Sequence, residues 1–338
     1  MVRIKDIAEY VGVSTTTVSN VIHGKEQRVS DETRKRIEEA VSKMGYVPSM
    51  SALMLAQERS GIIGVILQNK EEDSRPALAD PYYSELVGYL DQFIKLNHYF
   101  MLMITVPDVK EIIRQTIAWN LDGLIACNLQ EDFLISLHEH CEKPIVSVDT
   151  YINRKNNYIN IMTDDFDGGY QMGKYLTLMG HRKILMLADN DRGVDHYRWL
   201  GFKKALRESA IEVLQNQHII LSPIYQERME QIEKMLPLFQ QHTALFFASD
   251  FYALEACSVL RDMGFRIPED ISVTGFDDLL YARLAKPRLT TMHQSIEKKG
   301  EMAVMALLSL INQEERQEWI LPVQLIERES VKRIKPDL

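Results

Sequence analysis

The chain has 338 residues, of which 46% are hydrophobic and 26% charged, with a net charge of −9 at neutral pH. That length buries a substantial core and by size divides into two or three domains. No run of about 18 apolar residues exists and the first residues, Met1-Val2-Arg3-Ile4-Lys5-Asp6, hold no apolar signal core, so no helical membrane span or secretion signal is read and the cytoplasm is the expected location.

The three cysteines, Cys127, Cys141 and Cys257, are odd in number and widely spaced, which fits reduced thiols better than a disulfide or a zinc site. The charge is uneven. Residues 1–60 hold nine Lys or Arg against eight Asp or Glu, which leaves a net of −10 for the remainder. An acidic body discourages non-specific contact with DNA, so any such contact is confined to the N-terminal segment.

The first 46 residues read as three short helices. Ile4, Ile7, Ala8 and Val11 recur at i, i+3, i+4 and i+7, and Gly12 breaks the pattern. Ser14 is a natural N-cap for a second helix, with Val13 and Val18 placed to staple its entry. Around that helix Val18, Val21 and Ile22 share one arc, while Thr15, Thr16, Ser19, Asn20 and His23 occupy the other. Ser30 caps a third helix with Asp31 and Glu32 in its first turn, a stripe of Ile37, Ala40, Val41 and Met44, and Gly45 at its end.

Tyr46-Val47-Pro48 forces an extended connection. The segment from Ser49 to Gln57 has helical propensity but only about two turns, too short to hold a helix alone in water. It reads as a conditional hinge spanning residues 47–60.

From Gly61 onward, β-branched runs alternate with amphipathic helices. Strands are expected at Ile62 to Leu67, Phe100 to Ile104, Gly123 to Cys127, Pro144 to Val148, Lys183 to Leu187, His218 to Leu221, Ala244 to Phe247, Ile271 to Phe276 and Val323 to Glu327. Helices are expected at Tyr83 to Leu96, Ile112 to Trp119, Gly168 to Met179, Arg198 to Ser209, Met229 to Phe239, Tyr252 to Met263 and Ile296 to Leu310. Such alternation is the signature of doubly wound parallel sheets, and roughly nine or ten strands suit two sheets better than one. The fold class is therefore an all-α headpiece followed by an α/β core of two similar lobes with a cleft between them.

Residues 4–24, Ile-Lys-Asp-Ile-Ala-Glu-Tyr-Val-Gly-Val-Ser-Thr-Thr-Thr-Val-Ser-Asn-Val-Ile-His-Gly, closely resemble the signature of the lac repressor/galactose repressor family. Val29-Ser30-Asp31-Glu32-Thr33-Arg34, Gly45-Tyr46-Val47-Pro48, Asp80-Pro81-Tyr82-Tyr83, Asp122-Gly123-Leu124-Ile125, Met179-Gly180-His181-Arg182 and Gly275-Phe276-Asp277-Asp278 follow the same order and spacing, so the resemblance spans the chain. It implies a helix-turn-helix domain at 1–46, a hinge at 47–60 and a two-lobed effector-binding and dimerisation domain of the periplasmic-binding-protein kind at 61–338. It implies a dimer that reads double-stranded operator DNA and takes a small effector, a sugar or sugar phosphate in the leading reading, with no cofactor. A global catabolite-type regulator of the same family and a purely solute-binding protein are the alternatives.

By position in the motif, Thr15, Thr16 and Asn20 face base edges, and Ser14, Thr17, Ser19, His23 and Ser30 approach phosphates. Asn pairs bidentately with adenine. Leu55 falls where the family inserts a leucine wedge between base pairs. Leu53 stands in place of a common hinge arginine and Asn20 where many members carry arginine, so the operator sequence does not carry over.

For the effector, Asp149, Arg198 and Asp277 match positions that bind sugar hydroxyls, and Tyr82 and Tyr83 are placed to stack on an apolar ring face. Asp277 with Arg198 as a structural ion pair is the competing reading. Ser249-Asp250, Glu255 where glycine is usual, and an insertion at Lys70 to Ala79 depart from the family pattern, which leaves the ligand open to a nucleobase or another polar metabolite.

An enzyme is not expected. No phosphate-binding loop, dinucleotide fingerprint, His-Glu-x-x-His or Gly-x-Ser-x-Gly motif occurs. Gly168-Gly169 reads as close helix packing, and His138 and His140 point to different faces of one helix, a poor spacing for metal ligands. The chain closes soon after its last expected strand with no heptad tail, so a dimer is expected over a tetramer.

Overall fold

The computed structural model describes residues 2–22, 29–47, 59–67, 76–105, 108–151, 159–314 and 319–334. His23, Leu53 and Leu55 lie outside the described residues, as does most of the expected hinge.

The headpiece consists of α1 (Ile4–Val11), α2 (Thr15–Ile22) and α3 (Asp31–Met44). Gly12 ends α1 at φ 77°, a left-handed conformation that glycine adopts without steric cost. Ser14 then caps α2 by accepting from the Thr17 amide at 3.0 Å, and Ser30 caps α3 by accepting from Thr33 at 3.3 Å. Ile7, Ala8, Val11, Val18, Val21, Ile37 and Ala40 form the buried centre of the three helices. Arg36 bonds the Val11 carbonyl at 2.7 Å, fastening α3 to the end of α1.

The core opens with β1 (Ile62–Leu67), α4 (Pro81–Leu96), β2 (Phe100–Ile104), α5 (Val109–Ala118), β3 (Gly123–Cys127), α6 (Glu131–His140), β4 (Ile145–Val148) and β5 (Ile159–Thr163). It continues with α7 (Asp165–Leu178), β6 (Ile184–Ala188), α8 (Gly193–Glu208), β7 (His218–Ile220), α9 (Tyr225–Lys234), α10 (Leu236–Phe239) and β8 (Ala244–Phe247). The last elements are α11 (Asp250–Asp262), β9 (Ser272–Asp277), α12 (Leu280–Leu284), β10 (Thr290–Gln294), α13 (Ile296–Ile311), β11 (Trp319–Leu321) and β12 (Val323–Ile326).

These strands make two six-stranded sheets, ordered β11-β5-β4-β3-β1-β2 and β12-β10-β9-β8-β6-β7. All pairings are parallel except β12 against β10. Each sheet is covered on both faces by helices, with separate apolar clusters above and below.

Among the described residues twelve strands replace the nine or ten expected. The unforeseen ones are β5, β10 and β11. In β10, Thr290, Thr291 and Gln294 are buried although polar, because Ser330 of the C-terminal segment, Asp250 at the start of α11 and Thr163 at the end of β5 bond them. The single helix expected from Met229 to Phe239 is broken at Met235, since Pro237 cannot continue it.

The chain passes between lobes three times among the described residues: after β5, after β10, and between β11 and β12. The crossings run side by side. Thr163 donates to Gln294 at 2.7 Å, and the Asp164 amide donates to the Leu321 carbonyl at 2.9 Å.

Helices α7 and α8 touch through their backbones. A Cβ on Gly169 would lie 1.9 Å from the Arg198 carbonyl oxygen, and one on Gly201 would lie 1.8 Å from that of Phe166. Gly169 therefore serves helix packing and brings Arg198 against the start of α7, while Gly168 lets α7 approach the Phe276 ring of β9.

Candidate functional site

On the headpiece, α2 presents its polar arc outward. Ser14, Thr15 and Thr16 are exposed, and Thr17, Ser19 and Asn20 are half-buried, while Val18 and Val21 point into the core. The Ser14 and Thr17 hydroxyls lie 2.8 Å apart, and Ser30 and Thr33 repeat that arrangement at 2.9 Å. The capping residues thus carry their hydroxyls at helix N-termini, where backbone N–H groups already favour an anion.

In the core, a cleft of about 1270 Å³ opens between the lobes at the C-terminal ends of both sheets. Its walls include Leu67, Cys127, Asn128 and Asp149 from the first lobe and Asp189, Leu221, Ser222 and Tyr252 from the second. A crevice beyond the carboxyl ends of parallel strands is where open α/β sheets hold their ligands. Asn128, Asp149, Asp277 and Asp278, all at strand ends, adopt positive φ (49°, 55°, 111° and 60°). Asn and Asp tolerate that conformation best among residues with a Cβ.

The predicted effector residues divide. Tyr83 and Asp149 line the cleft; Tyr82, Arg198 and Asp277 stand behind its surface. They are joined by two residues that sequence reading passed over, Lys299 and Gln294. The Lys299 ammonium, 1% exposed, donates to both Asp149 oxygens at 2.7 and 2.9 Å, to Gln294 at 2.7 Å and to the Tyr82 hydroxyl at 2.9 Å. Tyr82 in turn donates to Asp149. Gln294 passes the connection to Asp277 at 2.6 Å.

On the other side, Arg198 bonds Asp165 at 2.8 Å, lies 4.0 Å from Asp277, and packs its guanidinium 3.6 Å from the centre of the Phe276 ring. Tyr151 donates to Asp165 at 2.8 Å and stacks on Tyr197 at 4.1 Å, and both rings line the cleft. A buried network therefore links the two lobes beneath the ligand space, with Lys299 and Gln294 at the crossing. The signal for Lys299 was available: it lies on the apolar stripe of α13, with Ile296, Gly300, Ala303 and Leu307. A lysine at such a position is buried only if its charge is paired.

Burial raises the Asp165 carboxyl despite the adjacent Arg198, and burial likewise raises Asp277, with Arg198 opposing it. Burial pushes the Tyr82 and Tyr83 hydroxyls well up, and the charge of Asp149 adds to the effect on Tyr82. Both therefore remain neutral hydrogen-bonding groups. Tyr83 accepts from Asn128.

Among the described residues, no three His, Cys, Asp or Glu side chains are grouped to hold a metal ion, and no helix is long and apolar enough to cross a membrane.

A three-helix DNA-binding headpiece ahead of two α/β lobes that enclose a polar cleft defines a ligand-responsive transcription regulator. Residues 3–49 match the bacterial regulatory proteins of the lacI family, and residues 174–331 match a periplasmic binding protein-like domain. The chain is 33% identical to the HTH-type transcriptional repressor PurR of Erwinia tasmaniensis over 98% of this chain and 97% of that relative. It is 32% identical to PurR of Haemophilus influenzae over 99% and 100% of the two chains. The lac repressor dimer bound to operator and the anti-inducer ONPF superposes with a TM-score of 0.84 at 27% identity, covering 98% and 99% of the chains. The chain belongs to the LacI family and is a DNA-binding transcriptional repressor with an effector-binding core. Its homologues are repressors and not enzymes.

Proposed function

We propose that this repressor binds its operator as a homodimer and that a neutral polyhydroxylated ligand, of the carbohydrate class, sets its affinity for DNA. The composition of the cleft carries the reading. Among the described residues, Asp80, Glu131, Asp132, Asp149, Asp189 and Asp191 line it against one guanidinium, Arg192. Carboxylates accept from hydroxyls, and tyrosine rings stack on the apolar face of a sugar. The same excess of negative charge opposes a sugar phosphate. Tyr83 and Asp149 are the contacts retained from the sequence expectation, with Tyr151, Asp189, Arg192 and Tyr252 added. Tyr82, Arg198 and Asp277 hold those contacts in place through the buried network.

On the DNA side, Thr15, Thr16 and Asn20 are proposed to read bases, with Ser14, Thr17, Ser19, His23 and Ser30 at phosphates and Leu55 in the minor groove. The proposed unit boundaries shift slightly from the sequence expectation. Asp122 accepts from the Ser60 and Gly61 amides at 3.0 and 2.9 Å, and Arg59 reaches Asn312 and the Ile311 carbonyl. These contacts support starting the core unit at Arg59, two residues before the expected Gly61.

For the dimer, α9 packs on α11 and α11 on α12, and this layer exposes Tyr225, Met263, Leu280, Tyr281 and Leu284. Five large apolar residues along one helical layer suit a second copy of the chain. Ligand binding is proposed to change the angle between the lobes and so the spacing of the paired hinges, a coupling of about 1 to 3 kcal/mol. A repressor acting on the chromosome places the protein in the cytoplasm.

The test begins with an operator selected from random duplexes and titrated at fixed salt with ribose, cellobiose, glucose 6-phosphate or adenine present, alongside thermal melts. A neutral sugar is expected to raise the melting temperature and shift operator affinity. A response to glucose 6-phosphate alone would overturn the ligand class. A response to adenine alone would favour a second reading, a planar nucleobase, for which the four cleft tyrosines are the supporting observation.

A further inference from the structure

Behind the wall of the cleft lies a charged pair that does not itself face the ligand space. Arg228, on α9, has a fully buried side chain, and Glu255, on α11, is 12% exposed. The guanidinium grips the carboxylate along one edge, Nε to Oε2 at 2.7 Å and Nη2 to Oε1 at 3.0 Å. Its Nη1 donates to two consecutive backbone carbonyls, those of Ser222 at 2.8 Å and Pro223 at 2.9 Å. Its central carbon sits 4.9 Å from the centre of the Tyr252 ring.

Ser222, Pro223 and Tyr252 line the cleft, whereas Arg228 and Glu255 do not. The Tyr252 hydroxyl donates to Asp189 at 2.9 Å, and the Ser222 amide donates to Gln231 at 2.8 Å. One buried cation therefore organises the end of β7, the ring of Tyr252 and, through that ring, the carboxylate that follows β6.

A buried ion pair is an expensive way to join two helices, because apolar side chains of equal volume do so as well or better. Apolar side chains do not satisfy two inward-facing carbonyls or attract the face of a tyrosine ring. Lysine does not reproduce the planar fork that makes four of these bonds at once. We propose that Arg228 and Glu255 are positioning residues that fix the cleft wall at Ser222, Pro223 and Tyr252, and so determine which ligands the cleft accepts. This rests on the reading of the cleft as the effector site.

The test uses the full chain as parent, as Arg228→Lys, and as the double variant Arg228→Leu/Glu255→Leu. Without ligand, the double variant is expected to stay folded and to melt cooperatively, below the parent because the Ser222 and Pro223 carbonyls lose their donor. Its Ser222 and Ile224 amides, bonded in the parent to Gln231 and to the Ser222 hydroxyl, are expected to exchange hydrogen at least tenfold faster. Exchange equal to the parent's overturns the positioning role. With ribose, cellobiose and adenine as probes, whichever stabilises the parent is expected to need at least tenfold higher concentration in both variants, with operator affinity in its absence unchanged. An unchanged half-saturating concentration overturns the role in specificity. Should the double variant not fold, Arg228→Lys carries both measurements. If no probe stabilises the parent, the reading of the cleft fails, and hydrogen exchange still decides whether the pair holds the wall.

Discussion

Asn20 and Thr16 lie on the solvent arc of a helix whose opposite side is packed, so their substitution tests the proposed base contacts with little disturbance of the core. Thr16→Ala with Asn20→Ala is expected to weaken specific operator binding by about 1 to 3 kcal/mol per base contact, with non-specific binding nearly unchanged. Operator titration at matched salt checks it, and parental affinity would remove α2 from the reading face. Lys299 is the opposite case, a charge with almost no exposure whose partners Asp149 and Gln294 are buried and whose third, Tyr82, is half-buried. Lys299→Met leaves Asp149 uncompensated and is expected to cost about 3 to 5 kcal/mol of stability, with much of the loss recovered by adding Asp149→Asn. Thermal melts of the single and double variants decide it; additive losses would contradict the pairing.

His181 gives a pH dependence with a definite sign. It is fully buried between Thr243 at 2.9 Å and the Lys332 carbonyl at 3.2 Å, and burial lowers its pKa to about 4. The unfolded chain takes up a proton near pH 6.5, the folded chain only near 4, so the stabilisation is complete above pH 6.5 and is lost as pH falls toward 4. The contribution is at most about 3 kcal/mol. Chemical denaturation of the parent and His181→Gln between pH 4.5 and 7.5 is expected to show a shallower slope in the variant; identical slopes would assign the dependence elsewhere.

At the level of elements, the crossing of α7 over α8 is set by missing side chains. Gly201→Ala places a methyl about one bond length from the Phe166 carbonyl oxygen, so the helices must separate. The expected loss is about 1 to 3 kcal/mol or more, read as a fall in melting temperature, and because α8 carries Arg198, ligand response is expected to weaken with it. A parental melting temperature would show that the helices yield without cost. A second close approach, of the C-terminal segment, explains the Met179-Gly180-His181 run. Gly180 adopts φ 95° against the Ile334 carbonyl, the Ile334 amide bonds Met179, and the C-terminal segment is thereby fixed to the second lobe.

For the whole molecule, two separations follow from the architecture. A fragment of residues 59–338 is expected to fold, to dimerise and to keep ligand binding without binding operator, since Asp122 and the end of α13 secure its first residues. The full chain carrying Tyr281→Asp is expected to become monomeric at micromolar concentration and to lose operator affinity at least tenfold, because a carboxylate then replaces an aromatic ring among the exposed apolar side chains of α12. Light scattering with operator titration checks both, and a dimeric Tyr281→Asp would move the interface off α12.

The headpiece was legible in the sequence nearly residue by residue, because its contacts are local: Gly12, Ser14 and Ser30 end and start helices through bonds spanning three or four residues. The alternation of strands and helices was legible for the same reason, with β1, β2, β3 and β8 falling where apolar runs place them. What the sequence did not determine was which charged residues face the ligand. Asp149 and Lys299 lie 150 positions apart, Arg198 and its partner Asp165 lie 33 apart on separate helices, and no local pattern records their meeting. Nor did it mark β10, whose Thr290 is bonded by the returning C-terminal segment and whose Thr291 and Gln294 are bonded by Asp250 and Thr163. Periodicity decides which face of an element is buried. Only the closing of the two lobes decides which buried charges neutralise one another and which are left to meet a ligand.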